Sequence, residues 1–98
     1  MDKNSTRARL PKPPSTYLKR MYTDTVSPHT AGMKFAIEYY GVDRVMYGSD
    51  YPCWSPAAAL AYLDKIGLSA ADQEKILNLN ARRILNLRHP AEVAAAAE

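Results

Sequence analysis

Cysteine is nearly absent from this 98-residue sequence. Cys53 stands alone, so no internal disulfide can form and no multi-cysteine zinc site exists. The default compartment for such a chain is a reducing cytoplasm. Long apolar runs are missing too: the longest, Ala57 to Leu63, spans seven residues, against the ~20 that cross a bilayer. Met1 to Arg20 is polar, basic and proline-bearing, with none of the apolar stretch of a secretion signal. No membrane partner is therefore expected. What is present, 47% hydrophobic and 23% charged residues, fits a globular chain and not a disordered one. A chain this short buries only ~60–68% of the surface it exposes when unfolded, so its core is expected to be modest.

The net charge of +3 is unevenly spread. Residues 1–20 carry six basic side chains, Lys3, Arg7, Arg9, Lys12, Lys19 and Arg20, against Asp2 alone; the remaining 78 residues carry seven basic and nine acidic ones. The basicity is an N-terminal arm and not a face of the domain. A basic arm can hold phosphates, but no aromatic interleaving or helix-turn-helix pattern accompanies it, so nucleic acid is not the expected partner. A solvated linker is the better reading.

Pro11, Pro13 and Pro14 favour an extended connector, followed by one helical turn at Ser15 to Arg20. Met21 to Val26 is β-branched and aromatic, the composition of a strand, and Ser27-Pro28 stops it. From His29 the period changes: Met33, Ala36, Ile37 and Tyr40 mark one apolar helical stripe. Gly41 caps that helix in the left-handed conformation. Arg44 to Tyr47 reads as a second strand. A helix then begins near Pro56, with Leu60 and Leu63 on its buried side and Gly67 beyond its end. Ser69 caps a further helix, with Asp72 at its positive end; Leu77, Ala81, Ile84 and Leu85 form its stripe, with a bend near Asn78 or Asn80. The alanine-rich tail after Pro90 is helix-prone but too short to be stable undocked. Residues 1–20 thus read as a connector, 21–88 as the folded segment and 89–98 as a tail.

Strand, helix, strand, helix, helix is an α/β order. About 17 residues separate the strands, enough for a crossover helix, so the strands are expected to be parallel. Two parallel strands alone have two open edges, whereas parallel sheets normally have more strands and both faces covered. The pattern is that of a slice of a larger sheet.

Chemistry concentrates at Arg44 to Pro52. Asp50 directly follows a hydrophobic strand, where α/β folds place ligands. If it points inward, alternation puts Gly48 and Met46 on the same side, with Val45, Tyr47 and Ser49 against the helices. A carboxylate there can ligate a divalent metal or accept a proton. The competing reading is a loop Asp that bonds nearby amides and shapes a turn; on spacing alone the second has the advantage. Trp54 can wall a pocket, although packing within the loop is favoured. Cys53 has no adjacent cation in sequence to activate its thiol. Asp24 lies mid-strand, inward or edge-facing. Asn80 ties a loop to its helix, and Arg82 and Arg83 pair on the surface. His29, at a helix start, and His89, in the tail, read as surface residues.

Four stretches together carry a resemblance. They are Lys12-Pro13-Pro14-Ser15-x-Tyr17-Leu18, Tyr22-Thr23-Asp24-Thr25, Gly41 through Pro52, and Asn80-Ala81-Arg82-Arg83-Ile84-Leu85. From about Leu10 to Leu87 the chain resembles the C-terminal part of the amidohydrolase-related (amidohydrolase 2) metal-dependent barrel family, and within it the aminocarboxymuconate semialdehyde decarboxylase group. The Gly-Ser-Asp-Tyr-Pro run followed by the late Asn-Ala-x-Arg-x-Leu is specific in combination; either motif alone is weak. The resemblance implies a (β/α)₈ TIM barrel of which this chain holds the last two strands and their helices. It implies that Asp50 matches the eighth-strand Asp of the metal site, a ligand or the base for bound water or substrate. The family's His-x-His and its later single histidines have no counterpart here, and His29 and His89 match no metal position.

The implied function is that of a metal-dependent hydrolase or non-oxidative decarboxylase acting on small carboxylic acids. Its cofactor would be a divalent metal, zinc above others, held by a complete barrel. A barrel takes ~250 residues and a catalytic zinc about three protein ligands, so this chain alone is expected to bind no metal and to be inactive. The rival expectation is a non-catalytic α/β module that completes its sheet by self-association, as a homo-oligomer, or with a partner chain.

Overall fold

The computed structural model describes residues 9–27, 29–88 and 90–97. The expectations placed on Lys3, Arg7, Pro28 and His89 lie outside them. Along the chain come α1 (Pro14–Leu18), β1 (Thr23–Asp24), α2 (Thr30–Tyr40), a 3₁₀ turn (Val42–Arg44) and β2 (Val45–Met46). They are followed by α3 (Pro56–Ile66), α4 (Ala70–Glu74), a π turn (Lys75–Leu79), α5 (Asn80–Leu85) and α6 (Pro90–Ala97).

The strands are parallel, as their separation requires, with Thr23 opposite Val45 and Asp24 opposite Met46. Both are shorter than their composition suggests. One further ladder bond, Thr25 N–H to the Met46 carbonyl at 3.0 Å, extends the pairing before the chains diverge. Helix α2 begins after His29 and ends at Gly41, whose φ of 87° is positive but whose ψ of 147° is extended. The expected left-handed cap is found instead at Gly67, with φ 78° and ψ 35°. Ser55 and Ser69 cap α3 and α4, accepting from the amides of Ala58 and Asp72, each satisfying an otherwise orphaned helix donor.

Helices α2 and α3 and the π turn pack together against β2. Met33 and Ile37 of α2, Val45 of β2, Leu63 of α3 and Ile76 of the π turn form the core, with Tyr40, Tyr47, Tyr62 and Ile66 against it. Leu60 does not join them and is 40% exposed. The buried residues of α3 are Ala59 and Leu63, four apart on one face, which turns Leu60 a step away.

The last stripe is also corrected. Leu77 and Leu85 are exposed, while Ile76 and Asn80 are buried completely. An unbroken 3.6-residue period was assumed, but the helix widens at the expected bend: the Asn80 amide bonds the carbonyl of Lys75, five residues back. This π register releases the Ile76 carbonyl, which accepts from the Tyr47 amide at 2.9 Å. The Asn80 side chain completes the junction, donating to the carbonyls of Val42 at 2.7 Å and Val45 at 2.8 Å.

These bonds alter the expectation of open edges. Met46 bonds toward β1, so alternation turns the backbone groups of Val45 and Tyr47 to the opposite edge. There they meet Asn80 and Ile76. On β1, the Val26 amide is taken by the Asp24 carboxylate at 2.9 Å. Helix α6 forms but buries no residue. The radius of gyration, 17.9 Å, exceeds the ~13 Å of a compact domain of this length.

Candidate active site at the carboxyl end of the strand pair

Beyond the ladder, Thr25 and Gly48 take over the pairing. The Thr25 side chain, fully buried, donates to the Gly48 carbonyl at 3.1 Å and accepts from the Gly48 amide at 3.0 Å. Gly48 has no room for a side chain without adjustment. A Cβ there would lie 3.3 Å from Val26 Cγ2 and 3.4 Å from Asp24 Cβ. Val45 and Tyr47 pack toward the helices as alternation predicts, and the Tyr47 hydroxyl donates to the Pro56 carbonyl at 3.1 Å.

Two residues past Gly48 comes Asp50, exposed and in the left-handed region with φ 55°. Aspartate tolerates that conformation better than most residues. Its carbonyl accepts from the amides of Cys53 at 2.9 Å and Trp54 at 3.3 Å, closing a turn that contains a cis Tyr51–Pro52 bond. Its carboxylate has no partner among the described residues. A turn-shaping Asp bonds nearby amides with its side chain, and Asp24 does so; Asp50 does not.

Between the strand ends and α3 lies an open cleft of about 80 Å³, walled by Val26, Ser27, Ser49, Trp54, Ala58 and Tyr62. Asp50 is not in its lining. Trp54, expected to pack within its loop, is 47% exposed and forms one side of this cleft. Cys53 is a free, exposed thiol, and His29 is exposed at the start of α2. At the opposite end of the strands Asn80 ties the 3₁₀ turn to α5, as expected. The arginines bond chiefly to main-chain oxygen: Arg83 donates to the Asp43 carbonyl, and Arg82 to the Arg88 carbonyl and the Asn78 side chain. Thr25 stands in the sequence only as part of the Tyr22-Thr23-Asp24-Thr25 stretch, with no role of its own. Its signal was a hydroxyl-bearing strand residue with a glycine across the ladder.

No group of three or more His, Cys, Asp or Glu residues among those described could hold a metal ion, and no helix among them is long and apolar enough to cross a membrane.

The family model described as Amidohydrolase matches residues 3–87. The chain belongs to the amidohydrolase family. That family is metal-dependent and its fold is the TIM barrel, so this amidohydrolase segment has an enzymatic lineage. Three solved decarboxylase structures resemble it. The 2,6-dihydroxybenzoate decarboxylase from Rhizobium is 24% identical with a TM-score of 0.71, over 87% of this chain and 27% of its own. A 2,6-dihydroxybenzoate decarboxylase complexed with 2,6-dihydroxybenzoate is 25% identical with a TM-score of 0.72, over 88% and 27%. The 5-carboxyvanillate decarboxylase from Sphingomonas paucimobilis is 26% identical with a TM-score of 0.70, over 83% and 25%. The chain thus spans about a quarter of the length of these structures. No curated protein matches it.

Proposed function

We propose that this chain supplies the last two strands of an amidohydrolase-family barrel and that Asp50 is its contribution to the active site, as metal ligand or as base. In this reading residues 21–88 are the barrel segment, 1–20 a basic connector and 89–98 a tail. The supporting observation is the state of Asp50. It is exposed at the carboxyl end of the strands, where barrel active sites are built, with its backbone held in a turn and its carboxylate without a partner among the described residues.

The whole barrel's activity is proposed to be non-oxidative decarboxylation of a small carboxylic acid. The relatives named for 2,6-dihydroxybenzoate and 5-carboxyvanillate favour this over hydrolysis of a C–N or C–O bond, and favour an aromatic acid as substrate. The residues present do not themselves make a metal site. Asp50 is one oxygen donor, whereas a catalytic zinc takes about three protein ligands. The divalent ion, zinc in this proposal, would be held mainly by residues outside this chain, and the chain alone is inactive. The single cysteine favours a reducing compartment such as the cytoplasm. The family match over residues 3–87 favours completion of the sheet within a barrel over its completion by self-association.

The test is Asp50→Ala in a complete barrel carrying this segment, assayed with an aromatic carboxylic acid that the unsubstituted barrel turns over. Turnover is expected to be lost while the far-ultraviolet circular dichroism is unchanged. Retained turnover rejects the assignment.

A further inference from the structure

We infer that Thr25 is a positioning residue for Asp50, an inference that rests on the active-site reading of Asp50 given above. Regular pairing ends at the Thr25 amide on Met46, four residues short of Asp50. A loop leaving a strand at that point would ordinarily carry its own flexibility up to the functional side chain. Here the Thr25 hydroxyl replaces the missing rung: one oxygen serves both main-chain groups of Gly48, accepting from its amide and donating to its carbonyl. The hydroxyl can do both because it has one proton and two lone pairs. Its burial is complete, so water does not compete for those bonds.

The consequence for Asp50 is geometric. On one side the backbone is pinned at Gly48, and on the other the Asp50 carbonyl is held by the amides of Cys53 and Trp54. Only Ser49 stands between the two anchors. A residue fixed at both flanks in the left-handed region has the direction of its Cα–Cβ bond set before any ligand arrives, the backbone share of what a preorganised catalytic group requires. The glycine is part of the device. A Cβ at Gly48 would meet Val26 Cγ2 at 3.3 Å and Asp24 Cβ at 3.4 Å, so a side chain there would press on the close strand contact.

The experiment is nuclear magnetic resonance on the full chain, comparing Thr25→Val, which keeps the shape and loses the hydroxyl, with Thr25→Ser, which keeps the hydroxyl. Two quantities are read: amide exchange at Gly48, and the φ-sensitive coupling and chemical shifts of Asp50. The methyl shifts of Val45 and Ile76 report on the core. With the core signals retained, Thr25→Val is expected to speed Gly48 exchange by about tenfold or more, given one to two lost hydrogen bonds. It is also expected to displace the Asp50 signals, and Thr25→Ser to restore both. A folded Thr25→Val chain with unmoved Asp50 signals overturns the inference. If that variant does not fold, the unsubstituted chain still decides: Gly48 exchange as slow as that of Thr25 supports the peg, and exchange as fast as that of exposed Tyr51 overturns it. No turnover is measured, so this result and that of the Asp50→Ala assay can fail separately.

Discussion

The two ends of the strand pair are built on different plans. At the amino end, the Asn80 amide group reaches two carbonyls at once and Arg83 holds the Asp43 carbonyl, while along the outer edge of β2 the π turn lends the Ile76 carbonyl to Tyr47. A surface ion pair, Lys75 to Asp43 at 3.1 Å, adds little, since its partners are 37% and 60% exposed. At the carboxyl end, Asp50, Tyr51, Pro52, Cys53 and Trp54 are all exposed, and Thr25 is the buried side chain that reaches the loop. In barrels the first face serves stability and the second serves chemistry. The contrast between Asp24 and Asp50 repeats this lesson on a smaller scale. Both are exposed carboxylates near a strand end, yet one bonds the nearest amide and the other is left available.

If that contrast is sound, substitutions should divide by end. Ile76→Ala empties the centre of the core and should cost the most, about 3 kcal/mol as for other buried large-to-small changes, read as a lowered urea midpoint. Asn80→Ala should follow at about 2 kcal/mol, because the carbonyls of Val42 and Val45 lose their donor in a buried setting. It should also speed exchange of the Tyr47 amide if the junction acts as one unit. Asp50→Asn belongs to the other end and should change stability by less than about 0.5 kcal/mol, since no described partner is lost and Asn accepts the same backbone conformation. An Asp50→Asn cost equal to that of Asn80→Ala would erase the distinction between the ends.

Much of the architecture was legible in the residues, for identifiable reasons. The stripe Met33, Ile37 and Tyr40 packs as its spacing requires, and the cap at Ser69 and the stop at Gly67 are local chemistry that a sequence states directly. Parallel pairing followed from the length of the crossover. Leu60, Leu77 and Leu85 were misplaced because a stripe read from hydrophobicity assumes an uninterrupted period and does not count small or polar residues as core. Ala59 and Asn80 took the buried positions instead. Asp50 was legible as a position, from its place after a strand, but whether its carboxylate was engaged was not. Thr25 escaped notice because its importance depends on the partner strand's register, which no local pattern encodes. The bonds on the outer edge of β2 were hidden for the same reason: one of them depends on the carbonyl of Ile76, freed 29 residues along the chain from Tyr47.

The π turn also sets what lengths this stretch of chain can have. Five residues, Lys75–Leu79, occupy the wide turn, one more than an α-helical hydrogen-bonded ring would span. Losing any one of them would let a continuous α-helix form, which is locally the easier conformation. The residue then presented to the Val42 and Val45 carbonyls would no longer be set by the present register, and the Ile76 carbonyl would return to its own helix. An indel here would therefore be neutral for helix content yet costly for the joint with the strand. Apart from the buried Ile76, related chains should vary in the identity of these residues far more readily than in their number.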